Sequence, residues 1–359
     1  MKVTIIGAGA IGGLAGAHMS RAGYDVTLVD RWVEHVDAMN ERGMYIDGIR
    51  GEMRMAVKAL TPDQLHGPLE AVLIATKSQD TEAAARLVIP MLGPDGFIVS
   101  YQNGFNEPLI ADLLTQAGKG GMERVIGCIP NYGGALVDPG YLEFVHEGKI
   151  ELGEMDGSDT ERLRTLTTML ETLTTVTPSN NIWGQIWAKQ VYACQIIFSA
   201  LVDARIFETL GNERWARVAG AVVREAIGVA KANGIELEAF DFFDPVLYEP
   251  KTPEDTAKLM AKIQNAIWLL RKDQDPAKHK FKKQGSGMWW DIVYRKRRSE
   301  TEAQNSKLIA YGRAKGADTR LIEKMSGMIY EIEEGKRQLG FHNYEELEAY
   351  VAAIGKSLP

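Results

Sequence analysis

The sequence predicts an α/β protein in which an N-terminal doubly wound sheet of the Rossmann type is followed by an all-helical domain. Three observations carry this. Residues 1–30 read strand, glycine turn, helix, strand. Two further buried-strand patterns, Ala71–Thr76 (AVLIAT) and Phe97–Tyr101 (FIVSY), each precede a helical segment, and such alternation builds a parallel sheet covered on both faces. From Ile182 onward the apolar residues recur almost only at helical spacing.

In order, Lys2–Ile6 is short, β-branched and apolar, as a strand buried on both faces should be. The turn Gly7-Ala8-Gly9-Ala10-Ile11-Gly12 then has G-x-G-x-x-G spacing. Gly7 permits the tight turn, Gly9 lets backbone approach a pyrophosphate, and Gly12 lets the helix sit close to the strand. The helix N-terminus adds N–H groups and positive potential. The second strand ends at Asp30, 18 residues beyond Gly12, where a carboxylate can accept from a ribose 2′-OH and repel a 2′-phosphate. NAD is therefore the expected cofactor. Arg31 keeps NADP as the alternative, because a guanidinium there can hold that phosphate.

Val33–Arg42 reads as a helix ended by Gly43, and Met44–Ile46 with Met53–Val57 as a β-excursion. Thr81–Leu92 and Glu107–Gln116 are the helices after the next two strands, with Lys77 and Gln102-Asn103-Gly104 at the strands' carboxyl ends, where ligands bind in such sheets. The glycine-rich, alternating run from Gly127 to Glu154 suggests antiparallel strands closing the sheet. A helix over Asp159–Leu173 and a last strand over Thr174–Thr177 lead to a boundary near Asn180-Asn181. The second half offers helices at Ile182–Ala204, Asn212–Asn233, Pro253–Arg271, Glu300–Lys315 and Tyr344–Ile354, with less regular chain at Phe240–Pro250 and Asp273–Gly287. The expected divisions are a dinucleotide-binding domain over 1–180, a helical substrate and catalytic domain over 181–335, and a helical extension over 336–359.

A net charge of −7 argues against a nucleic-acid surface as the main function. Cys128 and Cys194 stand far apart without metal-ligand spacing, so no metal is expected and a reducing cytoplasm is the simplest setting. The apolar N-terminus runs straight into a second strand, which makes it structure and not a signal peptide, and no apolar run approaches a membrane span.

Lys189 lies in IWGQIWAKQVYACQII, a stretch without another charge. A lysine there either snorkels to water or has a task, since burying an ammonium is costly and desolvation brings its proton within reach of chemistry. His146 reads as a strand-end residue, and the basic runs Lys282-Lys283 and Arg295–Arg298 as solvated faces.

Together, GAGAIG, TKSQDT, YQNG, the DPG…HEG…IELGE run, Trp187-Ala-Lys189, Arg224-Glu225-Ala226 and Ser299-Glu-Thr-Glu302 resemble the ketopantoate reductase family in type and order, over roughly residues 1 to 330. The resemblance implies a nicotinamide domain, a helical domain, and hydride delivery to the keto carbon of a small keto acid. It also implies that Lys189 is the proton donor, that Lys77 and Asn103 touch the cofactor, and that Glu302 is an acid near ribose and substrate. Ser299-x-x-Glu302 is equally a capping box, and both roles can hold.

The departures concern substrate. Where the family has asparagines one and two turns after the lysine, this helix has Ala193 and Ile197. Where the family has Ser-Ser-Met, this chain has Gln284-Gly285-Ser286-Gly287-Met288, followed by Trp289 and Trp290, which read more readily as packing than as substrate contacts. Ala193, Ile197, Ser286 and Trp289 are thus the substrate-side candidates, for a keto or hydroxy acid bulkier or more apolar than ketopantoate. Ketopantoate itself is the alternative, and a non-catalytic NAD(P)-sensing protein is the rival from another class. A flavoprotein would need a second flavin motif that the chain does not show. A homodimer stays open.

Overall fold

The structure is a computed structural model that describes all residues except Asp241, residues 274–284 and Pro359. The Lys282-Lys283 run, Gln284 and most of the irregular stretch before Gly287 lie outside the described residues. The chain forms two compact units that part between Ile186 and Trp187.

The first unit runs β1 (Val3–Ile6), α1 (Ala10–Arg21), β2 (Val26–Val29), α2 (Val33–Arg42), β3 (Met44–Gly48), β4 (Met53–Met55), β5 (Lys58–Leu60), β6 (Leu69–Ile74), α3 (Thr81–Val88), β7 (Leu92–Tyr101), α4 (Glu107–Gln116), β8 (Val125–Pro130), β9 (Gly133–Asp138), β10 (Tyr141–His146), β11 (Ile150–Glu154), α5 (Glu161–Leu170) and β12 (Val176–Pro178). Eight strands form one sheet in the order β12-β11-β8-β7-β6-β1-β2-β5. From β5 to β8 every neighbouring pair is parallel, with Val3 opposite Val26 on one side and Ala71 on the other. These central strands are buried on both faces, which is why they read as unbroken apolar runs.

One expectation is corrected. Of the strands from Gly127 to Glu154, β8 joins β7 in parallel and only β11 closes antiparallel on β8. β9 and β10 leave the main sheet and form a second one, ordered β4-β3-β10-β9, in which β10 lies parallel to β3 with Tyr141 opposite Tyr45. Alternation of apolar and polar residues identifies a strand and its faces, but it does not name the neighbour.

α1 is packed from two sides, and its composition follows from that. A Cβ on Gly16 would come within 2.5 Å of Leu28 in the main sheet, and one on Gly13 within 2.8 Å of Leu142 in the second sheet. Gly12 to Met19 are accordingly all buried. A β-carbon is absent at the two positions, Gly13 and Gly16, where these sheet side chains come closest.

α6 (Ile182–Ser199) begins against this unit: a Cβ on Gly127 in β8 would meet Ile182 at 2.8 Å and Ile186 at 3.0 Å. The division therefore falls a turn and a half of helix beyond Asn180-Asn181.

The second unit contains the rest of α6, then α7 (Ile206–Thr209), α8 (Glu213–Ala232), α9 (Pro253–Asp273), α10 (Gly287–Trp289), a π-helical turn over Trp290–Tyr294, α11 (Thr301–Ala314), α12 (Arg320–Glu333) and α13 (His342–Ala353). α8 packs against α11, α12 and α13. Among these, α12 had no clear start in the sequence, because Thr319 provides no side-chain cap. Its cap comes from α8: Glu225 accepts hydrogen bonds from the Leu321 and Ile322 N–H groups at 2.8 and 2.9 Å and pairs with Lys356. α13 is core and not an appendage. Tyr344 is fully buried and stacks on Phe198 with centroids 4.0 Å apart.

The start of α13 is also held by charge. Arg337 and then Lys324 donate to Glu346 at 2.7 and 2.6 Å and hold its carboxyl down to about 2. A carboxyl lowered in the folded state adds stability that is complete above its unfolded value of about 4.3 and is lost as pH falls toward 2. Glu346→Gln should therefore lose less stability than wild type between pH 7 and pH 3, measured by urea midpoints. Equal losses would show that the pair is silent.

Candidate active site

The glycine turn follows from packing on the sheet. Gly7 has φ +99°, a backbone region that suits glycine, and a Cβ there would sit 2.9 Å from the Thr76 nitrogen. A Cβ on Gly12 would lie 2.2 Å from the Gly7 carbonyl oxygen and 2.8 Å from Ala75 Cβ. Gly9 differs: a Cβ there would meet nothing within 4 Å. Packing demands the first and third glycines. The second faces open space, as expected where a ligand's pyrophosphate approaches, and the first turn of α1 supplies N–H groups without intrahelical partners. The residues present fit a dinucleotide.

Ala8 is held through both of its backbone polar groups. Its N–H donates to Asp30 Oδ2 at 2.9 Å, while Asp30 Oδ1 accepts the Trp32 N–H at 3.0 Å. Its carbonyl is bonded to His35 Nε2 at 3.0 Å. Three residues further along, in the first turn of α1, the Ile11 carbonyl accepts from the Tyr132 hydroxyl at 2.8 Å, and Tyr132 lies 3.0 Å from the Tyr101 hydroxyl. Burial pushes both phenols up, so both remain neutral donors. Asp30 thus shapes the turn as well as standing where the ribose is expected. Arg31 is 82% exposed and reaches Asp80 at 3.6 Å, an exposed pair of small energetic weight.

Beyond β6 and β7 a hydrogen-bond network joins the two loops that carry Lys77 and Asn103. Gln102 Nε2 donates to the Thr76 carbonyl at 2.8 Å, and its Oε1 accepts from Thr81 Oγ1 at 3.1 Å. The Asn103 carbonyl accepts from Ser78 Oγ at 2.5 Å and from Asn106 Nδ2 at 2.8 Å. The Asn103 side chain is left exposed, and Lys77 is half-buried at the start of the short 3₁₀ turn Ser78–Asp80. Gln102 was expected only as part of a strand-end turn, and Thr81, Tyr132 and His35 were not singled out in the sequence. TKSQDT and YQNG contained the first two, and His35 adjoins Val36 and Met39 on the buried face of α2.

In the second unit, Lys189 is half-buried, with Nζ 5.4 Å from the Tyr192 ring centroid and 5.7 Å from that of Phe240. Both lie within the range of cation–π attraction. Phe240 is held by paired backbone hydrogen bonds to Phe243, and Tyr192, Phe243 and Tyr248 continue the aromatic cluster. Burial raises the Tyr192 hydroxyl to about 12.

The substrate-side expectations divide. Ala193 keeps part of its surface, whereas Ile197 is fully buried and has none for a ligand. The accessible residue at that level is Ile196. At roughly 100° per residue, position 196 lies about 20° from Lys189 around the helix and position 197 about 80° away, so the second-turn neighbour of the lysine is seven residues on and not eight. Ser286 caps α10 by accepting the Trp289 N–H at 3.1 Å, and Trp289 Nε1 donates to Asp203 at 3.0 Å, so both have structural work. Trp290 is buried and stacks on Tyr294.

Glu302 is corrected in one respect. No capping box forms: the N-cap of α11 is Glu300, and the Ser299 hydroxyl donates to Glu333 at 2.6 Å. Glu302 instead stands exposed and pairs with Arg298 at 3.5 Å. Among the described residues no cluster of histidine, cysteine, aspartate or glutamate could hold a metal ion, and no helix is long and apolar enough to cross a membrane.

The family model for ketopantoate reductase PanE/ApbA matches residues 3–157, and the model for its C-terminal part matches residues 181–333. A 2-dehydropantoate 2-reductase of Pyrococcus horikoshii is 30% identical over 275 residues, 75% of this chain and 85% of that protein. The chain belongs to the ketopantoate reductase family. It is an NAD(P)-dependent oxidoreductase, with an N-terminal Rossmann-type α/β unit and a C-terminal helical unit. A 2-dehydropantoate 2-reductase of Archaeoglobus fulgidus is 29% identical over 66% of this chain and 76% of its own length. Two solved structures share the fold. D-mandelate dehydrogenase with NADH and anilino(oxo)acetate has a TM-score of 0.75 at 19% identity, over 94% of this chain and 99% of that one. A PanE/ApbA family ketopantoate reductase from Ralstonia eutropha has 0.71 at 24%, over 94% and 100%.

Proposed function

We propose that this family member interconverts a 2-keto acid bearing an apolar or aromatic substituent and the matching 2-hydroxy acid, with NAD(H) as its preferred cofactor. The observation that carries the reading is the accessible stripe Lys189, Ala193, Ile196 on α6, with the Tyr192 and Phe240 rings around the ammonium.

The cofactor, when bound, supplies or accepts the hydride. In the reducing direction negative charge develops on the carbonyl oxygen, and Lys189 Nζ donates the proton that neutralises it. The Tyr192 and Phe240 ring faces hold the ammonium by cation–π attraction of about 0.5 to 2 kcal/mol. Gly9 and the first turn of α1 receive the pyrophosphate, Asp30 the adenosine ribose, and Lys77 and Asn103 the nicotinamide side. We assign Glu302 a lesser, electrostatic part at the site, in keeping with its exposure. Cys128 and Cys194 are buried free thiols, consistent with a reducing compartment.

The substrate reading rests on chemistry that Ala193 and Ile196 lack. A site built to hydrogen-bond a substrate hydroxyl rejects analogues without one by large factors, and neither residue offers a donor or acceptor. The D-mandelate dehydrogenase complex supports it, since its ligand carries an aryl group beside an oxo acid. Ketopantoate remains the alternative substrate, on the strength of the Pyrococcus relative.

Three outcomes are expected. Lys189→Ala lowers kcat about a hundredfold or more with NADH affinity nearly unchanged, and an effect within about threefold would show that the lysine only snorkels. Wild type binds NADH more tightly than NADPH, and Asp30→Ala narrows the ratio of the two dissociation constants. The ratio is the readout because loss of the Ala8 hydrogen bond weakens both. A wild-type preference for NADPH would assign that control to Arg31. In a panel of phenylglyoxylate, a branched aliphatic 2-keto acid and ketopantoate, kcat/KM for the first two exceeds that for ketopantoate, and Ala193→Asn with Ile196→Asn shifts the order toward ketopantoate. If ketopantoate leads in wild type, the hydroxyl-binding groups come from elsewhere.

A further inference from the structure

A histidine that no motif marked is built into the cofactor turn. His35 is fully buried in α2 and is hydrogen-bonded through both ring nitrogens to backbone: Nε2 to the Ala8 carbonyl at 3.0 Å, and Nδ1 to the Gly140 N–H at 2.8 Å. A backbone N–H can only donate, so Nδ1 must be the acceptor. The ring is therefore the neutral tautomer with its proton on Nε2, and that proton is donated to the Ala8 carbonyl.

Gly140 is placed for this bond. It sits in the turn between β9 and β10 with φ +70°, a Cβ there would lie 3.0 Å from Ala38 in α2, and its own carbonyl accepts the Tyr45 N–H at 2.8 Å. The imidazole therefore spans from the second sheet to the peptide of Ala8. The N–H of Ala8, in the preceding peptide, is held by Asp30, and the next residue is Gly9, whose missing side chain leaves open space. Trp32 stacks on the ring at 5.7 Å and 23°.

We propose that His35 is a positioning residue for cofactor binding, donating to the Ala8 carbonyl so that the glycine turn keeps the shape that admits the pyrophosphate. It touches neither substrate nor reacting atoms. Without the donor, the Ala8 carbonyl is a buried acceptor lacking its partner, and the peptide has reason to rotate toward other donors. Only a fraction of molecules then holds the competent turn, and apparent affinity falls by that fraction.

Two isosteres separate the donor from the packing. In His35→Gln the amide nitrogen takes the place of Nε2 and keeps the donor to Ala8. In His35→Asn the amide oxygen takes the place of Nδ1 and keeps the acceptor for Gly140, but nothing reaches Ala8. NADH dissociation constants from nucleotide fluorescence should rise about tenfold for His35→Asn and stay within about threefold of wild type for His35→Gln. With saturating NADH, kcat should stay within about twofold for both. Equal weakening by the two variants, or none, would overturn the proposal and leave His35 a packing residue. A measurement on wild type stands apart from whether the variants fold. In ¹⁵N-histidine spectra of the full-length protein, with and without NADH, His35 should carry its proton on Nε2, and exchange of that proton should slow when NADH is bound. A proton on Nδ1, or exchange indifferent to NADH, would also overturn it.

Discussion

The constraint on which the first unit depends is the closeness of α1 to everything around it. One helix must pack on β1, β2 and Ala75 beneath it and on a second sheet above it, and the distances leave no room for β-carbons at Gly12, Gly13 or Gly16. The glycine motif is usually read as a mark left by a ligand. Here two of its three glycines answer to protein atoms, and only Gly9 faces open space. Gly12 would be needed even if no nucleotide ever bound. This also explains why a glycine triplet alone is weak evidence of function: close helix–strand packing demands most of it.

The second sheet gives the turn a support that the strand–helix alternation does not disclose. Gly134 in β9 lies against Leu14, Leu142 in β10 against Gly13, and Gly140 reaches His35 from the turn between those strands. The run that looked like strands closing the main sheet is better understood as a brace over the cofactor helix. Its DPG turn needs a glycine both for φ +70° and for the approach to Ala38. A loss of order at that turn would be felt at Ala8, although the two are far apart in sequence.

What the sequence made legible was local. α2 and α4 match their expected limits because their signals are local: Gly43 ends one, and the other opens with a proline near its start. β5 and α12 were not legible, since β5 has three residues and α12 is capped by Glu225 from another helix. The candidate residues follow the same rule. Gly7, Gly9, Gly12, Asp30 and Lys189 stand out by type and spacing, whereas His35 becomes meaningful only when Gly140, 105 residues later, is seen to donate to it. Ile197 shows the limit of counting by fours. Two steps of four overshoot a helical face by about 80°, enough to carry a side chain from the accessible stripe into the core.

Asp30 shows why recognition and architecture are hard to separate at this turn. A carboxylate offers about four lone-pair sites, and backbone N–H groups of Ala8 and Trp32 take one on each oxygen. One site on each oxygen is left by these two bonds, as the proposed contact with a ribose requires. A carboxylate at this position repels a 2′-phosphate. On the proposed reading, sugar discrimination is tied to the shape of the turn, and a substitution meant to alter only the first would disturb both. A change of cofactor preference that spared the turn would have to come from the side of Arg31 and Asp80, where the pair is exposed and loosely held at 3.6 Å.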